Sequence, residues 1–144
     1  MAINTGKVVT GGLAAGLVMN VCDYVINTYI MAPAFKADMD AINPALMTNM
    51  ETAGTTMIMK FVVLDFIFGL LLVWTYAAMR PRFGAGVGTA VKAGLLLWLV
   101  SGLTWYFTVV MGLFSMAFWT KSFALALVTM LLSAYVGAML YKED

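Results

Sequence analysis

The chain contains no histidine. That absence removes the commonest metal ligand, the usual axial ligand of haem and the usual general base near neutral pH. Cys22 is the only cysteine, so no intrachain disulfide can close. Charge is scarce as well: 10% of the 144 residues are charged and the formal net charge is +1, against about 25% charged in an average soluble domain. Eight scattered cations make no basic surface, which excludes nucleic acid as a partner. No Gly-x-Ser-x-Gly or phosphate-cradling glycine motif accompanies the serines and threonines. The Gly84-Ala85-Gly86-Val87-Gly88 segment opens an apolar run instead of following a strand, and reads as a turn and close-packing element. An enzyme is therefore not expected.

What the chain has in excess is apolar material, 63% of its residues, far above the roughly 45–50% of soluble domains. It falls into four blocks, predicting an all-α polytopic membrane protein: a single four-helix transmembrane domain over residues 1–144 with spans at about 8–31, 56–79, 86–112 and 117–141. Helices are required because lipid offers an open backbone no hydrogen-bond partners. The first run is too long for the core of a signal peptide and carries Asn20, Asp23 and Asn27, so it reads as a retained helix. The thirteen methionines read as flexible packing residues and not as copper ligands.

The three prolines stand at the connections. Arg80-Pro81-Arg82-Phe83-Gly84 joins the second and third spans as a tight antiparallel hairpin, with Arg80 and Arg82 as a cytoplasmic anchor. The first connection, a polar connector over 33–55, is divided by Pro44; its Met39, Ile42, Leu46, Met47 and Met50 suit a short amphipathic surface helix, although an ordinary ordered connector is the favoured reading. Lys7, Arg80, Arg82, Lys92 and Lys142 fall on one side of the membrane and Lys36, Lys60 and Lys121 on the other. The positive-inside bias then places both termini in the cytoplasm. Ala15-Gly16-Leu17 in the first span echoes Ala93-Gly94-Leu95 in the third, a weak sign of a 2+2 hairpin duplication.

Gly12, Gly16, Asn20, Asp23 and Asn27 recur at steps of four, four, three and four, which puts them on one helical face. Such a face has to meet another helix or a water-filled gap, because amides and carboxylates need partners that lipid lacks. Asp65 follows the same logic in the second span. Counted from the span midpoints, Asp23 and Asp65 are expected at one depth, where two facing carboxylates would share a proton. Asn20, Asp23, Asn27 and Asp65 thus form the candidate intramembrane polar site. Lys60, Lys92 and Lys121 lie near enough to an interface to snorkel instead of pairing with the aspartates. In the third span Gly94, Trp98, Ser101 and Trp105, and in the fourth Ser122, Thr129, Ser133 and Gly137, form small-residue and tryptophan seams for helix packing. No seam has a ligand set for a metal.

At Gly11 to Asn20, Trp74 to Gly84 and Val136 to Glu143 the chain resembles a family of small four-helix bacterial membrane proteins with no established activity. In that family an acidic residue followed by an aromatic and then an asparagine stands in the first helix, and Asp23, Tyr24 and Asn27 look like those residues. The family pattern also carries an acidic residue in the last helix, where this chain has Thr129 and Ser133 and no carboxylate. The resemblance implies the four-helix fold and the bacterial inner membrane, and implies nothing about activity.

Three roles follow as expectations. The first is a non-enzymatic accessory or structural subunit, its seams packed against other membrane subunits or copies of itself. The second is a proton- or ion-coupled transporter or channel built around Asp23 and Asp65. The third is a pigment- or quinone-contacting subunit with the ring stacked on Trp98 and Trp105. No cofactor is expected beyond bound lipid or, in the third case, the pigment or quinone itself.

Overall fold

All four apolar blocks fold as helices, and the computed structural model, which describes residues 3–141, contains no strand among them. Lys142, one of the cations used for orientation, and Glu143, in the last resembling stretch, lie outside the described residues, as does the side chain of Leu46. Helix α1 (Thr5–Val25) passes through a π-helical segment (Ile26–Met31) into α2 (Ala32–Ile42), and after one extended residue the chain reverses into α3 (Ala45–Phe83). Then follow α4 (Val87–Val110) and α5 (Met116–Leu140). Four stretches, Thr5–Ile42, Met47–Phe83, Val87–Val110 and Met116–Leu140, are long and apolar enough to cross a membrane, the mark of a multi-pass membrane protein.

Polar residues set the helix ends. Asn4 accepts from the Lys7 amide at 3.1 Å and starts α1; Ser115 accepts from the Phe118 amide at 3.1 Å and starts α5. Pro81 lies inside the last turn of α3, and the helix ends at Gly84, whose φ of 81° an L side chain would resist.

Helices α1 and α4 lie on opposite corners and do not touch among the described residues, whereas α3 and α5 meet across the middle. The tightest crossing is α1 on α3. A Cβ on Gly69 would collide with the Gly12 carbonyl and the Gly16 amide, and one on Gly12 or Gly16 would stand 2.7 Å from the Cα of Leu70 or Phe66. On its other side α1 meets α5 as closely, a Cβ on Gly11 falling 2.7 Å from the Gly137 carbonyl. Gly94 backs onto Ala134 and Gly102 onto the Phe123 ring, so α4 and α5 pack by the same device. Gly16 and Gly94, the echoed glycines, are each turned toward the partner in their own hairpin. The seams therefore meet one another inside one chain, and the expectation that all of them seek an outside neighbour is corrected. With so many small residues the core is thin, and the accessible surface is 8608 Å², against about 7,200 Å² for a compact soluble chain of this size. The excess is an apolar jacket that includes Leu13, Leu17, Leu103 and Phe107.

Both ends of the bundle are closed by side chains. At the end bearing the termini, Tyr76 and Tyr141 meet edge to face at 5.9 Å, the Arg80 guanidinium lies 5.2 Å from the Tyr141 ring centre, and the two hydroxyls receive the Gly86 and Asn4 amides at 3.1 and 3.2 Å. Four helix ends are tied there, and the described residues of the three resembling stretches include members of this cluster and of the glycine crossings. Arg82 stays exposed. At the far end Phe35 of α2 packs on Phe114 and Phe118, Trp105 meets both, and the Asp38 carboxylate accepts from the Ser115 amide and hydroxyl at 2.8 and 3.0 Å.

These contacts correct the expected connector at 33–55. Residues 32–42 prolong the first span as helix, because Pro33 sits in the first turn of α2, where its missing N–H does least harm. The preceding π-helical turn widens the helix ahead of the proline ring. Neither a surface helix nor a loop, this stretch is pinned to α5 by Phe35 and Asp38, and the real break is Asn43, extended before Pro44. Met39 is buried, Met47 and Met50 half-buried and Ile42 exposed. The third and fourth spans match expectation to within two residues.

Because a methyl group at residue 69 would push backbone against backbone, Gly69→Ala is expected to cost about 1–3 kcal/mol, read as a lowered unfolding midpoint in detergent. Gly88→Ala, where a Cβ would meet open space, is expected to be neutral or to stabilise by up to about 1 kcal/mol. Equal midpoints for the two variants would remove the glycine crossing as the organising contact.

Candidate functional site

The α1–α3 crossing positions the polar stripe. One turn beyond Gly16, Asn20 donates its side-chain amide to the Gly16 carbonyl at 2.9 Å and across the interface to the Val62 carbonyl at 3.3 Å. It is a staple between the two helices, and the glycines below it make that reach short enough. Asp23 comes next along α1 and is half-buried. Asn27 does not follow it inward: it is exposed and donates only to the Asp23 backbone carbonyl at 2.8 Å. Within the chain the stripe meets α3 at Gly12, Gly16 and Asn20, Asp23 is half-buried, and Asn27 is exposed. The cause is local, since Ile26–Met31 is π-helical and its extra residue per turn swings the face away from the period that the preceding helix keeps.

Asp65 projects from the same face of α3 as the buried Gly69, Leu72 and Tyr76, and is itself half-buried. It lies beside Gly16, where a Cβ would stand 3.1 Å from the Asp65 carbonyl oxygen. Asp23, seven residues further along α1, is then about 10 Å farther toward the far end by the rise of the helix. The two aspartates are not at one depth and no hydrogen bond joins them, so a proton shared in a short carboxyl pair is corrected to two separate carboxyls. They remain within electrostatic range of each other. Among the described residues no donor reaches either side chain, and Asn, Thr, Tyr and Trp from neighbouring helices do not cap them. The nearby cations are engaged elsewhere or face outward: the Lys121 ammonium donates to the Ile30 carbonyl at 3.3 Å, Lys92 lies 5.4 Å from the Phe83 ring centre, and Lys60 is exposed. The ion pair of the described residues is Lys36 with Asp40, within one helix at the far end.

Two members of the α5 seam belong with the aspartates, which sequence reasoning missed. Ser133 is 0% exposed and Thr129 5% exposed, and among the described residues neither hydroxyl has a hydrogen-bond partner. They share the face of α5 that presents Gly137 to Gly11, Ala15 and Val73, so they point between α1 and α3. Four residues before Gly137, Ser133 comes level with Gly16 and hence with Asp65; Thr129, one turn on, comes level with Asn20. Two uncapped carboxyls on α1 and α3 and two unpartnered hydroxyls on α5 therefore fall within about 10 Å of one another along the helix axis. A buried polar atom without a partner ordinarily signals a ligand or water that belongs there.

The remaining seam residues are occupied by packing. The Trp98 ring stacks on Phe123 at 4.1 Å and its indole N–H donates to the Phe123 carbonyl at 2.8 Å; Trp119 continues the stack at 4.8 Å. A cavity of about 80 Å³ lies beside them, lined by Trp98, Ser101, Trp105, Ser122 and Ala126, and Ser101 donates back to the Trp98 carbonyl at 3.1 Å. That volume is far below the several hundred Å³ of a cofactor site. Among the described residues no three acidic or cysteine side chains group as metal ligands.

Comparison with protein-family models, with curated proteins and with solved structures finds no match to this chain. The resemblance noted for its three stretches rests on those residues alone, and the site has to be read from its own geometry.

If Asn20 staples the two helices, Asn20→Ala is expected to destabilise by about 0.6–1.7 kcal/mol in detergent, while the exposed Asn27→Ala stays within about 0.5 kcal/mol of the parent. Equal effects from the two substitutions would contradict the assignment of the interhelical bond to Asn20.

Proposed function

We propose that this is a small, non-enzymatic proton- or cation-coupled membrane protein, a transporter or channel component, whose working groups are Asp23 and Asp65 with Thr129 and Ser133 beside them. The observation that carries the reading is that both carboxyls are half-buried among apolar helices and that no donor among the described residues caps them. Intramembrane carboxyls without a structural partner are the groups that bind protons and cations in membrane pathways. The hydroxyls are oxygen ligands suited to a hard monovalent cation or to a water that relays a proton. The positive end bearing Lys7, Arg80 and Arg82 favours termini in the cytoplasm, and the resemblance favours the bacterial inner membrane.

The second reading, an accessory subunit or an oligomer, draws on a different observation: Tyr24 near the end of α1 and Asn27 and Tyr29 in the π-helical segment after it are exposed, where another membrane chain would cover them. A pigment or quinone reading has less behind it, since Trp98 gives a ring face and its N–H to Phe123.

Reconstitution into liposomes with internal proton- and sodium-sensitive dyes tests the proposal. The parent is expected to pass one of the two ions, Asp65→Asn and Asp23→Asn to reduce that flux at least about tenfold, and Ser133→Ala to reduce it less. Flux unchanged in Asp65→Asn would overturn the carboxyl mechanism. Absence of flux together with other chains held in native mass measurements would replace the proposal with the accessory reading.

A further inference from the structure

Two breaks in regular α-helix stand side by side at the far end. The hydrogen bond from Asn20 to the Val62 carbonyl sets α1 and α3 in antiparallel register, so counting about eight residues along each toward the far end brings Thr28 level with Gly54. Thr28 lies in the π-helical segment Ile26–Met31, and Gly54 interrupts α3 with φ 38° and ψ −120°. At Gly12, Gly16 and Gly69 a glycine is required because another backbone lies against it; at Gly54 a Cβ would meet nothing within 4 Å. Packing does not require a glycine there, and the backbone conformation does. The roughly 20 residues that 30 Å of hydrocarbon needs, counted from Val8, are used up near Asn27 at this same level, and Lys36, Asp38, Asp40 and Glu51 all stand beyond it.

Residues 32–53, between the two breaks, form a helical hairpin with a fixed tip: the Ala45 amide donates to the Asn43 side chain at 3.0 Å, and α2 and α3 touch. The hairpin is tied to the α4–α5 end of the bundle by side chains, Phe35 against Phe114 and Phe118 and the Asp38 carboxylate accepting from the Ser115 amide and hydroxyl. The π-helical segment is held separately, by the Lys121 ammonium on the Ile30 carbonyl and by the burial of Met31. We propose that residues 32–53 are a hinged cover of the far end, turning about Gly54 and the π-helical segment and latched to α5 by Asp38 and Phe35. Hinges of this kind need only a few residues that absorb a change in φ and ψ. Gly54 reaches α-helical angles without steric cost, and a π-helical turn returns to α by exchanging one set of backbone hydrogen bonds for another. Turning Gly54 to those angles straightens α3, which carries 45–53, and α2 with it, away from Ser115. The movement does not depend on what crosses the bundle, and it is read without an ion gradient.

Electron paramagnetic resonance distances on the full chain provide the test, with Cys22→Ser removing the native thiol and spin labels placed at exposed positions. Ala37→Cys with Thr120→Cys, and Thr48→Cys with Thr120→Cys, span the hinge; Ala37→Cys with Thr48→Cys lies within the hairpin. Thr48 is about 9 Å from Gly54 along the helix, so a turn of about 30° moves it by about 5 Å. Gly54→Ala, which disfavours the bent backbone, and Asp38→Ala, which removes the latch acceptor, are each expected to populate a state with both spanning distances longer by about that amount and the distance within the hairpin unchanged. Asp38→Asn, which keeps an oxygen acceptor for Ser115, should stay close to the parent. Spanning distances that do not move in Gly54→Ala or in Asp38→Ala would overturn the hinged cover, as would a distance within the hairpin that broadens along with them, the mark of fraying and not of a turning unit.

Discussion

The approach of α1 to α3 at Gly12, Gly16 and Gly69 sets the spacing on which the rest of the bundle depends. Helices in lipid gain nothing from hydrophobic exclusion against one another, so their association rests on van der Waals contact and on the few hydrogen bonds that close approach permits. With no side chain between the two backbones at Gly69, Asn20 can span from α1 to a carbonyl of α3, and Asp65 comes to lie against Gly16. The same closeness on the other side, Gly11 against Gly137, turns Ser133 and Thr129 into the space between the three helices. One class of contact thus makes both the strongest packing and the polar interior beside it.

Much of this was readable from residue spacing. The steps linking Gly12, Gly16, Asn20 and Asp23 put four residues on one face of α1, because an uninterrupted α-helix keeps its period, and the first three of them meet α3. Asn27 fell off that face because Pro33 lies downstream: the helix accommodates the ring by a π-helical turn, and such a turn is not encoded in the apolar pattern that defines the span. The same turn allowed the helix to continue past residue 31, so span midpoints counted from apolar boundaries placed Asp23 and Asp65 too nearly level. Pairing across an interface fixes depth far better than counting along one helix, and pairing is invisible until Asn20 is seen on Val62.

The hydroxyls of α5 illustrate a second limit of pattern. Serine and threonine in a membrane helix ordinarily return a hydrogen bond to their own backbone, as Thr75, Thr104 and Thr120 do here at 2.8 Å to the carbonyl one turn back. A seam of such residues therefore reads as packing. Thr129 and Ser133 depart from this habit, with buried oxygens that find neither their own helix nor a neighbour. Only their surroundings, a carboxyl level with Ser133 and another just above Thr129, separate them from the rest of the seam.

The distribution of small and polar residues along the axis gives the bundle a direction. Its half nearer the termini is closed by backbone contact and by the Tyr76, Arg80 and Tyr141 cluster, with a cavity of about 80 Å³ beside Tyr76, lined by Ala90 and Tyr135 among others. Its other half holds the carboxyls, the unpartnered hydroxyls and the π-helical turn, and is closed by the packed rings of Phe35, Phe114 and Phe118. If Asp65 works as proposed, an ion moving between it and the end that bears the termini would have to pass the backbone crossing at Gly12, Gly16 and Gly69.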